Sequence, residues 1–207
     1  MNCKFCNKSA GFMKSFHLEC KSKAEKCMKS IEHIINIYNQ DGIDFIDAKQ
    51  SIMDLISSNS LYSNYLWNCV GSKSEIRTNE FLIHVETLVT IYESKNRKTM
   101  ERTCLSYARY PMWNVSSYKI EEMATVAFTD KSIYLLGFNA VMVFPYKKII
   151  NIGFENGYAY FDVKTNSPYP HRFEINAVNY KDLSKPKNIT LFLNLLCDWN
   201  NSKRRSM

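Results

Sequence analysis

The stretch CKFCNKSAGFMKSFHLEC, residues 3 to 20, has the pattern C-x2-C-x10-H-x2-C. A cysteine pair with two residues between forms a tight knuckle whose backbone amides point at the sulfurs, and His17 and Cys20 fall on one face of a first helical turn. Three thiolates and an imidazole close a tetrahedron around Zn(II), and a site filled by four protein ligands keeps no position for water. The spacing therefore predicts one structural Zn(II) ion on Cys3, Cys6, His17 and Cys20, holding a segment that has little core of its own. Lys4, Lys8, Lys14, Lys21 and Lys23 offset the negative charge of such a site, and Phe5, Phe12 and Phe16 are placed to pack over it. A thioredoxin-type redox pair is the competing reading. It needs the CxxC at a helix start after a strand, not at residue 3 with a second ligand pair downstream.

Other chemistry is sparse. The run ESKNRKTMER lies between the first two predicted strands and carries Lys95, Arg97, Lys98 and Arg102. A basic hairpin loop of this kind can hold an anion such as a lipid headgroup, although Glu93 and Glu101 dilute its field, and an ordinary charged hairpin tip is the plainer reading. NQDGIDFIDAKQ has the look of a calcium loop. With Gly42 at its sixth position, however, Ile37 comes first and Ala48 twelfth, so both anchoring acids are missing and a helix-helix turn is expected. His33, His84 and His171 have no evident acid or nucleophile set, and phosphate-loop, dinucleotide and nucleophile-elbow motifs are absent. The expectation is a protein that is not an enzyme.

Of the seven cysteines, Cys27, Cys69, Cys104 and Cys197 sit singly among apolar residues and read as small core hydrophobes. An odd count with metal-ligand spacing fits a reducing compartment, and the chain has neither an apolar leader nor a run long enough to span a membrane. These features predict a cytoplasmic location. The net charge of +7 is concentrated at the ends: residues 1 to 30 hold seven lysines against Glu19 and Glu25, and the tail SKRRSM adds Lys203, Arg204 and Arg205. Basic ends of this kind suit nucleic acid, an acidic protein or, more weakly, anionic lipid, or serve only as solvated faces.

Hydrophobic residues at 45% and aromatics at 14% are ample for packed cores. Met28, Ile31, Ile34, Ile35 and Tyr38 recur at helical spacing in a first helix that ends between Asn39 and Gly42. Asp44 is suited to cap a second helix carrying Ile52, Leu55 and Ile56, and Leu61, Tyr65, Leu66 and Cys69 mark a third that stops near Gly71. From about residue 81 the period shortens. FLIHVETLVTIYE, RTCLSYARYP, YKIEEMATVAFTD, KSIYLLG, AVMVFPY, KIINIGFE, YAYFDVKT and HRFEIN are short runs rich in β-branched and aromatic residues, with Asn156-Gly157 a strong hairpin signal. After the Pro-broken SPYPH, Asn188 can cap a last helix whose Ile189, Phe192, Leu195, Leu196 and Trp199 form one stripe.

About seven antiparallel strands followed by one amphipathic helix is the order of a pleckstrin-homology-like (PH-like) barrel or sandwich. FTDKSIYLLGFNAVMVFPYKKIINIGFENGYAYFDV resembles the bacterial PH-like and GRAM-like pattern through Thr129, Asp130, Lys131, Ile133, Leu135, Gly137, Pro145, Tyr146, Lys148 and Ile149. Over most of its length the chain resembles a group of bacterial proteins with an N-terminal zinc knuckle, a helical segment and such a domain, the helical segment being shorter here. The resemblance implies an α+β architecture and no activity. The expected organisation is a zinc knuckle at 1–22, a helical segment at 23–78, a PH-like domain capped by a helix at 79–200 and a basic tail at 201–207. The expected function is that of a zinc-binding adaptor or inhibitor-like protein with a macromolecular partner, suited to a bacterial or phage conflict system. Nucleic-acid binding through knuckle and tail, and an enzyme with a site assembled across domains, are the alternatives.

Overall fold

Three helices follow the Cys/His segment, and each begins where its sequence supplies a cap or a ligand turn. α1 (Leu18–Asn39) starts directly after His17, α2 (Phe45–Ser58) is capped by the Asp44 side chain, which accepts from the N–H of Ile46 and Asp47, and α3 (Ser60–Val70) is capped by Asn59. Gly42 makes the turn between α1 and α2, its N–H donating to the Ile37 carbonyl at 2.9 Å. The computed structural model describes residues 1–207 apart from 12–13, 41, 72–75, 103–108, 138–140, 165, 167–169, 180 and 203–207. For 94–102, 109–118, 120–122 and 202 it describes the backbone alone.

The remainder is a seven-stranded antiparallel open sheet and one helix. In chain order these are β1 (Leu82–Arg102), β2 (Arg109–Thr129), β3 (Ser132–Leu136), β4 (Val141–Pro145), β5 (Ile149–Glu155), β6 (Tyr158–Val163), β7 (His171–Ala177) and α4 (Ser184–Ser202). The strands are ordered β4-β3-β2-β1-β7-β6-β5, so the long β1 pairs with β2 on one side and, over Val89–Ser94, with β7 on the other. Register shifts flank Leu88 and Met123, both non-glycine residues with left-handed φ of 58° and 56°. Bulges of this type bend a strand and increase its twist. The sheet curls until Phe144 of β4 meets Phe161 of β6 and Phe173 of β7, with ring centroids 5.6 and 4.6 Å apart.

Two expectations about this region change. ESKNRKTMER is not a hairpin loop: it belongs to β1, where Lys95, Arg97, Lys98 and Arg102 lie opposite Ser116, Asn114, Trp113 and Arg109. Of RTCLSYARYP, residues 103–108 lie outside the described residues, Arg102 ends β1 and Arg109–Pro111 open β2, which runs unbroken to Thr129 and takes in YKIEEMATVAFTD. Cross-strand pairing along the ladder overrides the turn-like polarity of ESKNRKTMER. The Asn156-Gly157 turn is as read, with both residues at positive φ between Glu155 and Tyr158.

α4 begins four residues before Asn188, with Asp182 accepting from the Ser184 N–H. Pro186 sits in the first turn, where its missing N–H costs nothing because the donor there has no intrahelical acceptor. The stripe Ile189, Phe192, Leu195, Leu196 and Trp199 is buried. α4 packs on the sheet with one side and on α1 and α2 with another, so helices and sheet share one buried cluster. Among the described residues no helix is long and apolar enough to cross a membrane.

Candidate metal centre

Cys3 and Cys6 lie on a small hairpin-like loop. Its ends are tied by a bridge between Asn2 and Ser9, by the Cys3 N–H on the Lys8 carbonyl at 2.7 Å and by the Asn7 N–H on the Cys3 carbonyl at 2.9 Å. Asn7 closes the loop at a left-handed φ of 59°, a conformation asparagine tolerates better than most residues. His17 and Cys20 come from the junction of loop and α1: His17 is the residue before the helix, its carbonyl already accepting from the Lys21 N–H. The donor atoms of Cys3, Cys6, His17 and Cys20 all lie within 4.8 Å of one another.

The geometry fits a metal ion. His17 Nδ1 is 3.4 Å from the Cys6 sulfur and 3.8 Å from that of Cys20. A tetrahedral ion about 2.3 Å from sulfur and about 2.0 Å from nitrogen gives edges of about 3.5 to 3.8 Å. The other ring nitrogen, Nε2, is 3.0 Å from the Ser9 carbonyl. A carbonyl only accepts, so Nε2 carries the proton and Nδ1 presents a bare lone pair to the sulfurs. Cys3 is fully buried. That burial opposes its thiolate, but the backbone amides of His17, Phe5 and Cys6 outweigh it and draw the thiol down to about 6. Cys20 is pushed up to about 11 by desolvation and by the neighbouring sulfurs of Cys6 and Cys3. Crowded sulfurs resist a further negative charge, and a divalent cation among them removes that resistance.

The centre is seated on α3. Phe5, buried, stacks on Tyr65 at 4.9 Å, Phe16 meets Phe5 edge-on at 6.4 Å, and the Asn68 side chain donates to the Lys4 carbonyl at 2.7 Å. The predicted aromatic cover is thus a docking contact with the helices; Phe12 lies outside the described residues. Lys23 pairs with Glu19 at 2.7 Å, while Lys21 pairs with Glu25 at 3.5 Å and lies over the Phe16 ring, so these two lysines serve the surface of α1.

The other candidate residues divide. The side chains of Lys95, Arg97, Lys98 and Arg102 lie outside the described residues, as do Lys203, Arg204 and Arg205. Burial pushes the thiols of Cys27 and Cys69 up and that of Cys197 up to about 12; Cys27 and Cys197 are core residues, Cys69 is half-buried against the core, and Cys104 is not among the described residues. His33 is exposed, and His171 faces Glu93 at 3.4 Å.

His84 has the partners that sequence reasoning missed. It is buried, with Nδ1 3.1 Å from the Tyr62 hydroxyl and Nε2 3.1 Å from Glu86 Oε1, and its ring stacks on Phe192 at 4.1 Å. Desolvation holds the Tyr62 phenol well above its ordinary pKa, so it stays protonated and donates to Nδ1, leaving Nε2–H for Glu86. Asn188 then bridges Glu86 and Glu32 of α1. The available signal was the His84-x-Glu86 spacing, which sets both side chains on one face of a strand. Compared with known proteins, the chain matches no family model and no curated protein.

Proposed function

We propose that this chain is a non-enzymatic binding protein, an adaptor or inhibitor, in which Cys3, Cys6, His17 and Cys20 hold one structural Zn(II) ion and a PH-like sheet domain engages a protein partner. The observation that carries the reading is that the donor atoms of three cysteines and one histidine gather within 4.8 Å of one another, with the histidine tautomer fixed by Ser9 and the loop docked on α3. Such a site holds and does not react. A donor set of soft thiolates and one imidazole suits zinc.

The PH-like assignment draws support from the strand order, the curl that brings β4 over β6 and β7, and the terminal helix packed on the sheet. The residues behind the GRAM-like resemblance have structural work. Thr129 bonds Glu80 and Ser132, Asp130 caps the Phe81 N–H at 2.7 Å, and the Tyr146 hydroxyl donates to the Thr129 carbonyl at 3.1 Å. The Tyr62–His84–Glu86 set is likewise engaged within itself, joining α3, β1 and α4.

The test is a Cys3→Ser/Cys6→Ser variant examined for metal and for partners. The variant is expected to lose stoichiometric zinc and amide protection over residues 1–20 and to keep an intact sheet domain. Retention of one zinc per chain removes the ligand assignment. A nucleic-acid reading has one observation in its favour, a cavity of about 240 Å³ between knuckle, α1 and α3 lined by Phe5, Phe16, Tyr65, Lys4 and Lys21. Single-strand binding that falls steeply with salt and is lost in Phe16→Ala would establish it in place of the protein-partner reading.

A further inference from the structure

β4 ends the sheet, and its side away from β3 carries no strand among the described residues. All five of its residues are half-buried and none is charged, in a run that reads Val-Met-Val-Phe-Pro. Edge strands are normally blunted by charge or cover, because an exposed ladder recruits other chains. The backbone direction follows from one bond: the Tyr146 N–H donates to the Lys131 carbonyl at 3.2 Å, so Tyr146 faces β3. With a period of two, Phe144 and Met142 face β3 as well, while Pro145, Val143 and Val141 turn their backbone groups outward. Pro145 has no N–H to leave unpaired, as expected of an edge position. Val141 and Val143 each present an N–H and a carbonyl.

Next to this edge lies a cleft of about 480 Å³, floored by Val143, Phe144 and Val163 and rimmed by Lys147, Lys148 and Lys164. The three lysines are exposed, and none has an ion-pair partner among the described residues. An apolar edge flanked by cations on one side fits an extended chain that carries carboxylates at one end.

We propose that the outer edge of β4 accepts an extended acidic segment of a protein partner as an added strand. Val141 and Val143 set its register through backbone bonds, and Lys147, Lys148 and Lys164 receive its carboxylates. The inference rests on the protein-partner reading above and names the surface and the chemistry of that partner.

The probe is a labelled eight-residue peptide of alternating threonine and valine ending in three glutamates, titrated into the intact zinc-loaded chain by fluorescence anisotropy. The acidic peptide is expected to bind, more weakly as salt rises. A Lys147→Glu/Lys148→Glu/Lys164→Glu variant is expected to bind it about tenfold less tightly or worse. Val143→Pro, which removes one outward N–H, is expected to lose a similar factor. A peptide N-methylated at alternate residues asks the same question without altering the protein, and is expected not to bind.

Failure of the acidic peptide to bind, or equal binding of its N-methylated form, overturns strand addition. So does binding to phosphatidylserine vesicles through the same lysines without peptide binding, or a dimer of the chain that Val143→Pro dissociates. A protein partner captured equally by the intact chain and by Val143→Pro removes the β4 site and leaves the binding-protein reading standing.

Discussion

His17 divides its two nitrogens between a carbonyl and a set of sulfurs, and that division gives the N-terminal cluster a donor set that a metal ion could use. The same division of labour recurs at His84, where both partners are protein side chains and nothing is left for a ligand. Tyr62→Phe removes the hydroxyl and leaves Nδ1 of His84 buried without a donor, which is expected to cost about 1–3 kcal/mol in urea unfolding of the zinc-loaded chain. No loss would mean that the network contributes no stability. The isolated cysteines make a second expectation. A thiol raised in pKa holds little thiolate at pH 8, so Cys27 and Cys197 should resist iodoacetamide in the folded chain and react on unfolding, as peptide mass mapping reads directly. At this scale the gathering of Cys3, Cys6, His17 and Cys20 was legible, because their spacing is a local property. The His84 partners were not, since Tyr62 comes from another element and only the fold brings it within reach.

Among the elements, α1 and α2 follow their periodicity closely, and Ala24, Cys27, Ile31 and Ile35 line the buried side of α1. α3 turns by one residue from its predicted face. Tyr62, Leu66 and Val70 are buried while Leu61, Tyr65 and Cys69 are only half-buried, because the apolar arc opposite Ser60, Ser63, Asn64 and Asn68 is wide and its neighbours choose which part of it faces inward. The lengths of β1 and β2 were hidden for a different reason: Lys95 to Arg102 reads as a turn by composition, and only the partner strand reveals the ladder. The knuckle behaves as an element too, held to α3 by Phe5 on Tyr65. Phe5→Ala is expected to keep its zinc while losing about 3–5 kcal/mol of docking and packing. Hydrogen exchange should rise over residues 1–16 and along the exposed face of α3 with the metal content unchanged. Loss of zinc in this variant would make docking and metal binding one event.

At the scale of the whole molecule, one buried cluster runs from Cys3 and Phe5 through the three helices to α4 and both halves of the sheet. The Tyr38 hydroxyl donates to Asp198 at 2.6 Å and the Lys49 ammonium lies over Trp199 at 4.5 Å, so α4 is gripped by the helical segment as well as by the sheet. The sequence pattern carried the order of these parts but not their mutual packing, which depends on contacts between residues more than 100 apart, such as Glu32 with Asn188. In the proposed reading a closed metal site stands at one end of this cluster, as a staple and not a reagent. X-ray absorption at the zinc edge of the intact chain tests that most directly. Three sulfurs at about 2.3 Å and one nitrogen at about 2.0–2.1 Å are expected, with no oxygen in the coordination shell. A water oxygen bound to the metal, or fewer than three sulfurs, would contradict it.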